Sequence, residues 1–293
     1  MRVSKWLSGH TESLVGKRVA VSGATGGLGQ ALCRHLASLG ATLVLLDRNM
    51  EKSRALAEKL RAAYPDLSVS HIQVDMEQID TVRRAAEELK REPLHYLILN
   101  AGAYSIPRHK TSTGYDNVYQ INFISPYYLV RALLPHLAAH GGRAVAVGSI
   151  AHRYSVSDPT DVDFSGRSRA SLVYGNAKRH LMCALWGLAQ TCDAPVAVVH
   201  PGISQTGITA HYPKVIYALI KFPMRVIFMK PRKACLCVLE GMARPAPAGH
   251  WIGPWLFDVW GVPKQKRVRR IGEEERTRLA ALAEQIASDI DGQ

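Results

Sequence analysis

The sequence predicts an α/β protein built on a doubly wound, seven-stranded parallel sheet in a single domain. Short valine- and leucine-rich runs alternate with amphipathic helical patterns from residue 17 to about residue 255. A glycine-rich turn joins the first apolar run to the first helical pattern. The 293 residues suffice for one such domain with a large core, and they contain no internal repeat or low-complexity linker.

The first predicted strand, residues 17–22, leads through a glycine-rich turn into a helical pattern that ends at Gly40. Glycines allow a tight turn and close approach of a pyrophosphate, while the amino end of the helix supplies N–H donors and a favourable dipole. Strand, glycine turn and helix in that order indicate a Rossmann-type dinucleotide site. The predicted cofactor-binding residues of the turn are Ser22, Gly23, Thr25, Gly26, Gly27, Leu28 and Gly29.

The later strands are predicted in turn along the chain. The second ends at Asp47 and Arg48, the third at Asp75, the fourth at Asn100-Ala101-Gly102 and the fifth at Ser149. The sixth covers residues 195–200 and precedes Pro201 and Gly202, and the seventh is expected near residues 250–252. Residues 1–16 are assigned to an N-terminal extension and 17–258 to the domain. Residues 259–293 are assigned to a basic segment and a C-terminal amphipathic helix.

Tyr174 and Lys178 are four residues apart, so a helix places them on one face, one turn from each other. A nearby ammonium group favours the ionised form of a phenol. We expect Lys178, together with a cationic cofactor ring, to lower the pKa of Tyr174 from ~10 towards neutrality, a change worth ~4 kcal/mol. The pair therefore predicts a tyrosine that transfers protons.

With Ser22 in the threonine position, the turn resembles the Thr-Gly-x-x-x-Gly-x-Gly signature of the short-chain dehydrogenase/reductase family. The similarity extends over residues 15–255 and implies the strand order 3-2-1-4-5-6-7. It implies a catalytic tetrad of Asn122, Ser149, Tyr174 and Lys178, and substrate contacts from Ser149, Tyr174 and Ile203. It also implies further cofactor contacts from Asp75, Met76, Asn100, Ala101, Gly102, Tyr174, Lys178, Pro201, Gly202 and Thr206.

In this family a nicotinamide cofactor exchanges a hydride with a carbinol carbon. The resemblance assigns Tyr174 the role of general acid/base and assigns Lys178 the nicotinamide ribose. It gives Ser149 an oxyanion-type contact with the substrate oxygen, and Asn122 a water that relays protons. A catalytically weak, cofactor-binding regulator is the alternative. It is disfavoured because both Tyr174 and Lys178 are present.

Tyr174 follows Ser149 by 25 positions, and this long interval is similar to that of the retinol-dehydrogenase-like branch. The branch implies a hydrophobic secondary alcohol or ketone, such as a steroid, a retinoid or a ring ketone. A membrane-surface lipid or polyketide ketoreductase stays open. Asp47 favours NAD, because its carboxylate would repel a 2′-phosphate, whereas Arg48 favours NADP. NAD is the preferred cofactor of the two.

The net charge of +13 includes a basic run at residues 264–270, which is predicted to be solvated surface ahead of a helix at 273–290. No nucleic-acid motif accompanies it, so no nucleic-acid partner is expected. The five cysteines and twelve histidines lack metal-ligand spacing, so no metal is expected. Reduced thiols and the absence of an apolar N-terminal segment favour a cytoplasmic protein.

Residues 215–229 are apolar, but they are too short and too charged to span a bilayer. They are interpreted as part of a substrate lid near residues 203–230, with a peripheral membrane contact and ordinary core as alternatives. Two helical stripes suggest a four-helix interface and hence a homodimer or homotetramer. The stripes consist of Tyr127, Val130, Leu133, Leu134 and Leu137, and of Leu181, Leu185 and Leu188.

Overall fold

The structure is a computed structural model that describes residues 3–202 and 229–292. Ile203, Thr206 and nearly all of the predicted lid lie outside the described residues. In chain order the elements are α1 (Val3–His10), β1 (Arg18–Ser22), α2 (Gly27–Ser38), β2 (Thr42–Asp47), α3 (Met50–Ala63), β3 (Val69–Gln73), α4 (Ile79–Leu89), β4 (Tyr96–Leu99), α5 (Asn117–Tyr119), a π-helical turn (Gln120–Ile124), α6 (Ser125–Ala139), β5 (Arg143–Val147), a 3-10 helix (Ile150–Tyr154), α7 (Ala170–Leu188), β6 (Val196–Val199), α8 (Pro231–Ala243), β7 (His250–Leu256), β8 (Trp260–Arg267) and α9 (Glu273–Asp291).

The strands form one sheet in the order β3-β2-β1-β4-β5-β6-β7-β8. The first seven strands pair in parallel, so their carboxyl ends meet at one edge of the sheet. Alternate strand residues enter separate apolar cores on the two faces, Val44 on one face and Leu43 and Leu45 on the other. These observations confirm the predicted doubly wound fold.

The sheet differs from the prediction at one edge, where an eighth strand is added. β8 pairs antiparallel with β7 and contains much of the run that was predicted to be a solvated basic surface. Most of its residues are exposed, as at an edge strand. Lysine and arginine discourage such an edge from pairing with another chain. The charged, half-exposed sequence therefore has the composition of a loop although its backbone is a strand.

The leucine stripes of α6 and α7 are already covered within the single chain. Leu133, Leu137 and Leu185 are fully buried. α9 packs on α7 so closely that a Cβ atom at Gly187 would lie 2.4 Å from the Cβ atom of Ala280. Leu188 is only partly buried, and the other residues of the two stripes are packed within the chain. Within the described ranges, no helix is long and apolar enough to cross a membrane.

Candidate active site

The glycine turn between β1 and α2 is packed too tightly for side chains at two positions. Gly23 has φ +64°, and a Cβ atom there would lie 2.9 Å from the Cα atom of Ala101. At Gly29 a Cβ atom would lie 2.3 Å from the Gly23 carbonyl oxygen. Gly26 and Gly27 are exposed, and no side chain caps the amino end of α2. The turn therefore has the open amides and close backbone that a pyrophosphate requires.

Ser22 and Asn100 hold the ends of β1 and β4 together. The Ser22 hydroxyl oxygen accepts hydrogen bonds from the amides of Asn100 and Ala101, each at 3.0 Å. The Asn100 side chain donates to the carbonyl oxygens of Ser22 (3.1 Å) and Gly23 (2.9 Å). Both residues lie at the predicted cofactor cleft. The Ser22 side chain, however, is buried and its hydroxyl oxygen is hydrogen-bonded within the protein, so it stabilises the conformation of the turn.

Asp47, Arg48 and Asp75 meet beside the glycine turn. The Asp47 carboxylate accepts hydrogen bonds from the Thr25 amide (3.1 Å), the Thr25 hydroxyl (3.0 Å) and the Ser53 hydroxyl (3.0 Å), and it is 3% exposed. The Arg48 side chain is 71% exposed and lies 3.9 Å from Asp75. A fixed carboxylate and an exposed guanidinium group therefore stand side by side where the adenine ribose is predicted.

Four of the predicted cofactor residues have side chains or positions that limit their role. The side chains of Leu28 and Met76 belong to the apolar cores, so only their backbones can contribute to a cleft. The Met76 carbonyl oxygen already accepts the Ser125 hydroxyl at 2.6 Å. Gly202 is buried with φ +78°, and a Cβ atom there would lie 2.9 Å from the Val259 carbonyl oxygen. Pro201 is buried next to it.

The four tetrad residues come together at the carboxyl ends of the central strands. The Ser149 hydroxyl lies near enough to the Tyr174 hydroxyl to lower the pKa of Tyr174. The Lys178 ammonium group donates to the Val147 carbonyl oxygen at 2.9 Å and lies 5.8 Å from the centre of the Tyr174 ring. A Cβ atom at Gly102 would lie 3.8 Å from the Lys178 nitrogen and 2.8 Å from the Asn122 side-chain oxygen. The segment Ala101-Gly102 therefore lies between the glycine turn, which Ala101 contacts at Gly23, and the tetrad, which Gly102 approaches at Asn122 and Lys178.

Asn122 is buried within the π-helical turn, where its side chain ties two segments together. Its oxygen accepts the Ala103 amide at 3.2 Å, and its nitrogen donates to the carbonyl oxygens of Ala103 and Val118 at 2.8 Å each. Single π turns are frequent at functional sites. Ser149 also begins the 3-10 helix, because its hydroxyl oxygen accepts the Ala151 amide at 3.2 Å. Both residues combine a local structural role with a place in the site.

The pKa of Tyr174 differs from the expectation. Burial raises the pKa of Tyr174 to about 12; the hydrogen bond with Ser149 lowers it in part, and Tyr104 raises it. Burial also lowers the pKa of Lys178 to about 8. The expected lowering requires a cationic coenzyme ring as well as Lys178, and in the chain alone burial has the largest effect on the pKa of Tyr174. The phenol is protonated at neutral pH in the chain alone.

Sequence reasoning missed Tyr104. Its ring meets that of Tyr174 edge to face, with 5.4 Å between ring centres and 87° between planes. The available signal was its position two residues after Asn100-Ala101-Gly102, a segment already predicted to line the cleft. No periodicity connects it with Tyr174, since the two residues are brought together only by the fold.

A glycine turn suited to a dinucleotide, at the same sheet edge as a serine–tyrosine pair and a buried lysine, defines an oxidoreductase. A model of the short chain dehydrogenase family matches residues 17–159. Polyprenol dehydrogenase of Mus musculus is 28% identical over 248 residues, which cover 80% of this chain and 73% of the relative. The chain belongs to the short-chain dehydrogenase/reductase family.

Two further comparisons extend over nearly the whole chain. Dehydrogenase/reductase SDR family member 13 of Bos taurus is 29% identical over 298 residues, covering 95% of this chain and 78% of the relative. The solved structure of an uncharacterized protein from Mycobacterium paratuberculosis has a TM-score of 0.73 at 24% identity, and covers 96% of this chain and 97% of that chain. The structural similarity shows that the fold is shared.

Proposed function

We propose that the protein transfers a hydride between a nicotinamide coenzyme and an alcohol or carbonyl carbon of a hydrophobic molecule. The observation that carries this proposal is the placing of Ser149 next to Tyr174, with Lys178 beside the Tyr174 ring, at the edge where the glycine turn opens. A substrate oxygen placed between the two hydroxyl groups could receive a hydrogen bond from one and a proton from the other.

The residues present fit a dinucleotide. The close backbone at Gly23 and Gly29 and the uncapped amino end of α2 suit its pyrophosphate. Asp47 and Arg48 are the candidates for the adenine ribose. Lys178 is the candidate for the nicotinamide ribose, and Pro201 and Gly202 are candidates for the ring. The coenzyme, when bound, supplies or accepts the hydride.

The protein's own residues handle the proton. Tyr174 gives a proton to the substrate oxygen in reduction and takes it in oxidation. Ser149 orients the Tyr174 hydroxyl and donates to the same oxygen. Lys178, with a pKa of about 8, can exchange a proton near neutral pH. Asn122 lies beside Gly102 and positions the water through which that proton reaches solvent.

The substrate class is supported by similarity and by the walls of the cleft. The mouse relative is named for a polyprenol, a long apolar alcohol. Tyr104 lies against Tyr174. Ile106, two residues further along the chain, packs on the larger apolar core and on a small cluster of Val118, Phe164 and Val173. An aromatic and aliphatic wall suits a hydrophobic molecule, in keeping with the retinol-dehydrogenase-like branch.

A panel of polyprenols, retinoids, hydroxysteroids and ring ketones, followed at the nicotinamide absorbance with both coenzymes, tests the proposal. We expect turnover with at least one hydrophobic alcohol or ketone and none with short polar alcohols. Tight coenzyme binding without turnover across the panel would support the alternative of a cofactor-binding regulator.

We propose NAD as the preferred coenzyme, and Asp47→Asn tests this. The variant removes the carboxylate charge but keeps an oxygen that can accept from Thr25. At ~4 Å and an effective dielectric of ~20 the repulsion of a 2′-phosphate approaches ~4 kcal/mol per charge, so the NAD preference should fall by about tenfold or more. The ratio of the Kd values for NAD and NADP is the measurement. Asp66→Asn, an exposed carboxylate after α3, is the matched control. A parent protein that already prefers NADP would contradict the proposal.

We propose that the protein is a monomer, in place of the predicted homodimer or homotetramer. α9 takes the surface of α6 and α7 that a second copy would cover. The Tyr127 hydroxyl donates to Glu284 at 2.9 Å, and Arg131 bridges Glu284 and Asp291. Light scattering at micromolar concentration should give a mass near 32.2 kDa. Twice that mass, independent of dilution, would contradict the proposal.

A further inference from the structure

The turn that joins β7 to β8 presents three aromatic side chains to solvent. Phe257 is 76% exposed and Trp255 54% exposed, and Trp260 follows on β8 at 38%. We call these three residues the aromatic tip. Phe257 and Asp258 have φ values of +52° and +59°, in the left-handed region that bulky residues avoid. A strained and exposed phenylalanine gains nothing from packing within the chain, and such outliers point to function.

The aromatic tip lies at the same edge of the sheet as the active site. β7 runs parallel to β6, so the turn after Leu256 emerges at the carboxyl edge. The turn also contacts the end of β6: the Asp258 carbonyl oxygen bonds the His200 ring at 3.1 Å, and the Val259 carbonyl oxygen lies against Gly202. The Trp255 indole lies across Gly261, which holds it on the hairpin.

Behind the aromatic tip, β8 and the following residues are strongly basic. A cavity of about 470 Å³ is lined by residues 266–270 together with His152 and Arg153. Asp258 pairs with Arg153 at 2.7 Å and with Lys266 at 2.8 Å, which offsets one charge. Burial lowers the pKa of His152 to about 4, so this ring is neutral. Arg267, Arg269 and Arg270 keep the cavity positive.

We propose that the aromatic tip and this cationic cavity form a docking surface for an anionic phospholipid bilayer. Tryptophan and phenylalanine favour the boundary between headgroups and acyl chains, and basic clusters favour anionic headgroups. Two cations that line the cavity, Arg153 and Lys266, reach Asp258, the residue after Phe257, at 2.7 and 2.8 Å, so the cavity begins directly behind the turn. The aromatic side chains can thus enter the interface while the cations stay within reach of the phosphates.

The charge of the edge argues against a second copy of the chain as the occupant. Two copies of β8 that paired across a two-fold axis would crowd the Lys264, Lys266 and Arg267 side chains of one copy against those of the other. A bilayer instead supplies the opposite charge. The docking surface goes beyond the proposed oxidoreductase activity, and binding to vesicles can be measured without turnover.

Tryptophan fluorescence of the full chain reports on this surface. Trp6, Trp186 and Trp251 are at most 2% exposed, whereas Trp255 and Trp260 are the ones at the tip. Vesicles of phosphatidylcholine mixed with phosphatidylserine should shift the emission to shorter wavelength and sediment with the protein. Pure phosphatidylcholine vesicles should do so far less. Added salt should weaken the binding, because it screens the cations.

Two pairs of variants separate the aromatic and the charge contributions. Phe257→Asn suits the left-handed backbone and should weaken vesicle binding by about tenfold or more, whereas Val15→Asn, at an equally exposed site, should not. Arg267→Glu combined with Arg269→Glu should abolish the preference for anionic vesicles. Lys59→Glu combined with Arg84→Glu, on other exposed helices, is the control of equal charge.

Three outcomes would overturn the proposal. The first is equal binding to neutral and anionic vesicles, and the second is binding that Phe257→Asn leaves unchanged. The third is an emission shift that depends on protein concentration without lipid and disappears in Phe257→Asn, which would assign the aromatic tip to a second copy. Circular dichroism of each variant confirms that the fold is kept.

Discussion

Tyr174→Phe should lower kcat by about 10²–10⁴-fold and leave the Kd of the coenzyme nearly unchanged. The substitution keeps the ring that packs on Tyr104 and removes only the hydroxyl group that lies near Ser149. If Tyr174 moves the proton, the loss falls on the chemical step, so kcat and kcat/KM should fall together. Single-turnover rates and coenzyme titration by fluorescence measure the two quantities separately.

Tyr104→Phe is the matched control within the same site. It removes only the hydroxyl group of a second tyrosine that touches Tyr174, and it preserves the edge-to-face contact of the rings. We expect its kcat to stay within about tenfold of the parent, since the proton-transfer group remains in place. If Tyr104→Phe were as damaging as Tyr174→Phe, or if Tyr174→Phe retained most of its activity, the assignment of the general acid/base would be wrong.

The pKa of Tyr174 gives this step a pH dependence with a definite sign. Burial raises the pKa of Tyr174 to about 12 in the chain alone, so the phenol is protonated at neutral pH and ready to act as an acid. Oxidation of an alcohol needs the deprotonated phenol, so its rate should rise with pH. Reduction of a carbonyl needs the protonated phenol, so its rate should fall as pH rises through the pKa of the loaded enzyme. Initial rates in both directions across pH test this.

Structural features that depend on residues close together in the sequence were predictable. The positions of the first seven strands follow from valine- and leucine-rich runs that alternate with helical patterns, and the position of the glycine turn follows from the glycines between the first run and the first helical pattern. The order of the strands in the sheet was implied by the family resemblance. Tyr174 and Lys178 share a helix face because four positions make about one turn. In each case the chemistry depends on residues that are near each other along the chain.

Features that depend on distant partners were not predictable. Ser22 and Asn100 are 78 positions apart, and nothing in their spacing indicates that they bond. Tyr104 and Tyr174 are also far apart in the sequence, so their rings come into contact only when the chain folds. The spacing of Tyr174 and Lys178 gives their proximity but not the degree of burial, which raises the pKa of Tyr174 in the chain alone. The burial of the surface between α7 and α9 likewise depends on where α9 packs.

Glu275→Gln should lower the free energy of unfolding by about 3–5 kcal/mol, because it leaves a buried charge without its partner. Arg179 has a side chain only 5% exposed and donates to both carboxylate oxygens of Glu275 at 2.6 Å. It also donates to the carbonyl oxygens of His152 (3.1 Å) and Arg270 (2.8 Å). The pair therefore joins α7, α9 and the 3-10 helix that begins at Ser149.

Urea unfolding measures the change, and Glu274→Gln is the matched control. Glu274 precedes Glu275 in the first turn of α9, where both carboxylates favour the helix dipole, but Glu274 is exposed. Its replacement should cost only ~0.3–1 kcal/mol. Equal effects of the two substitutions would mean that the ion pair with Arg179 contributes nothing beyond the dipole.

The cost of Glu275→Gln should depend on pH with a known sign. Burial raises the pKa of Glu275, but the hydrogen bond and charge of Arg179 outweigh it, so the pKa lies below its usual value. A lowered folded-state pKa means that the carboxylate stabilises the fold fully above its unfolded pKa of ~4.3 and loses that contribution as pH falls through the folded value. The difference between parent and variant should thus be constant near neutral pH and shrink in acid. A difference that grows on acidification would show that Arg179 holds the protonated carboxyl group instead.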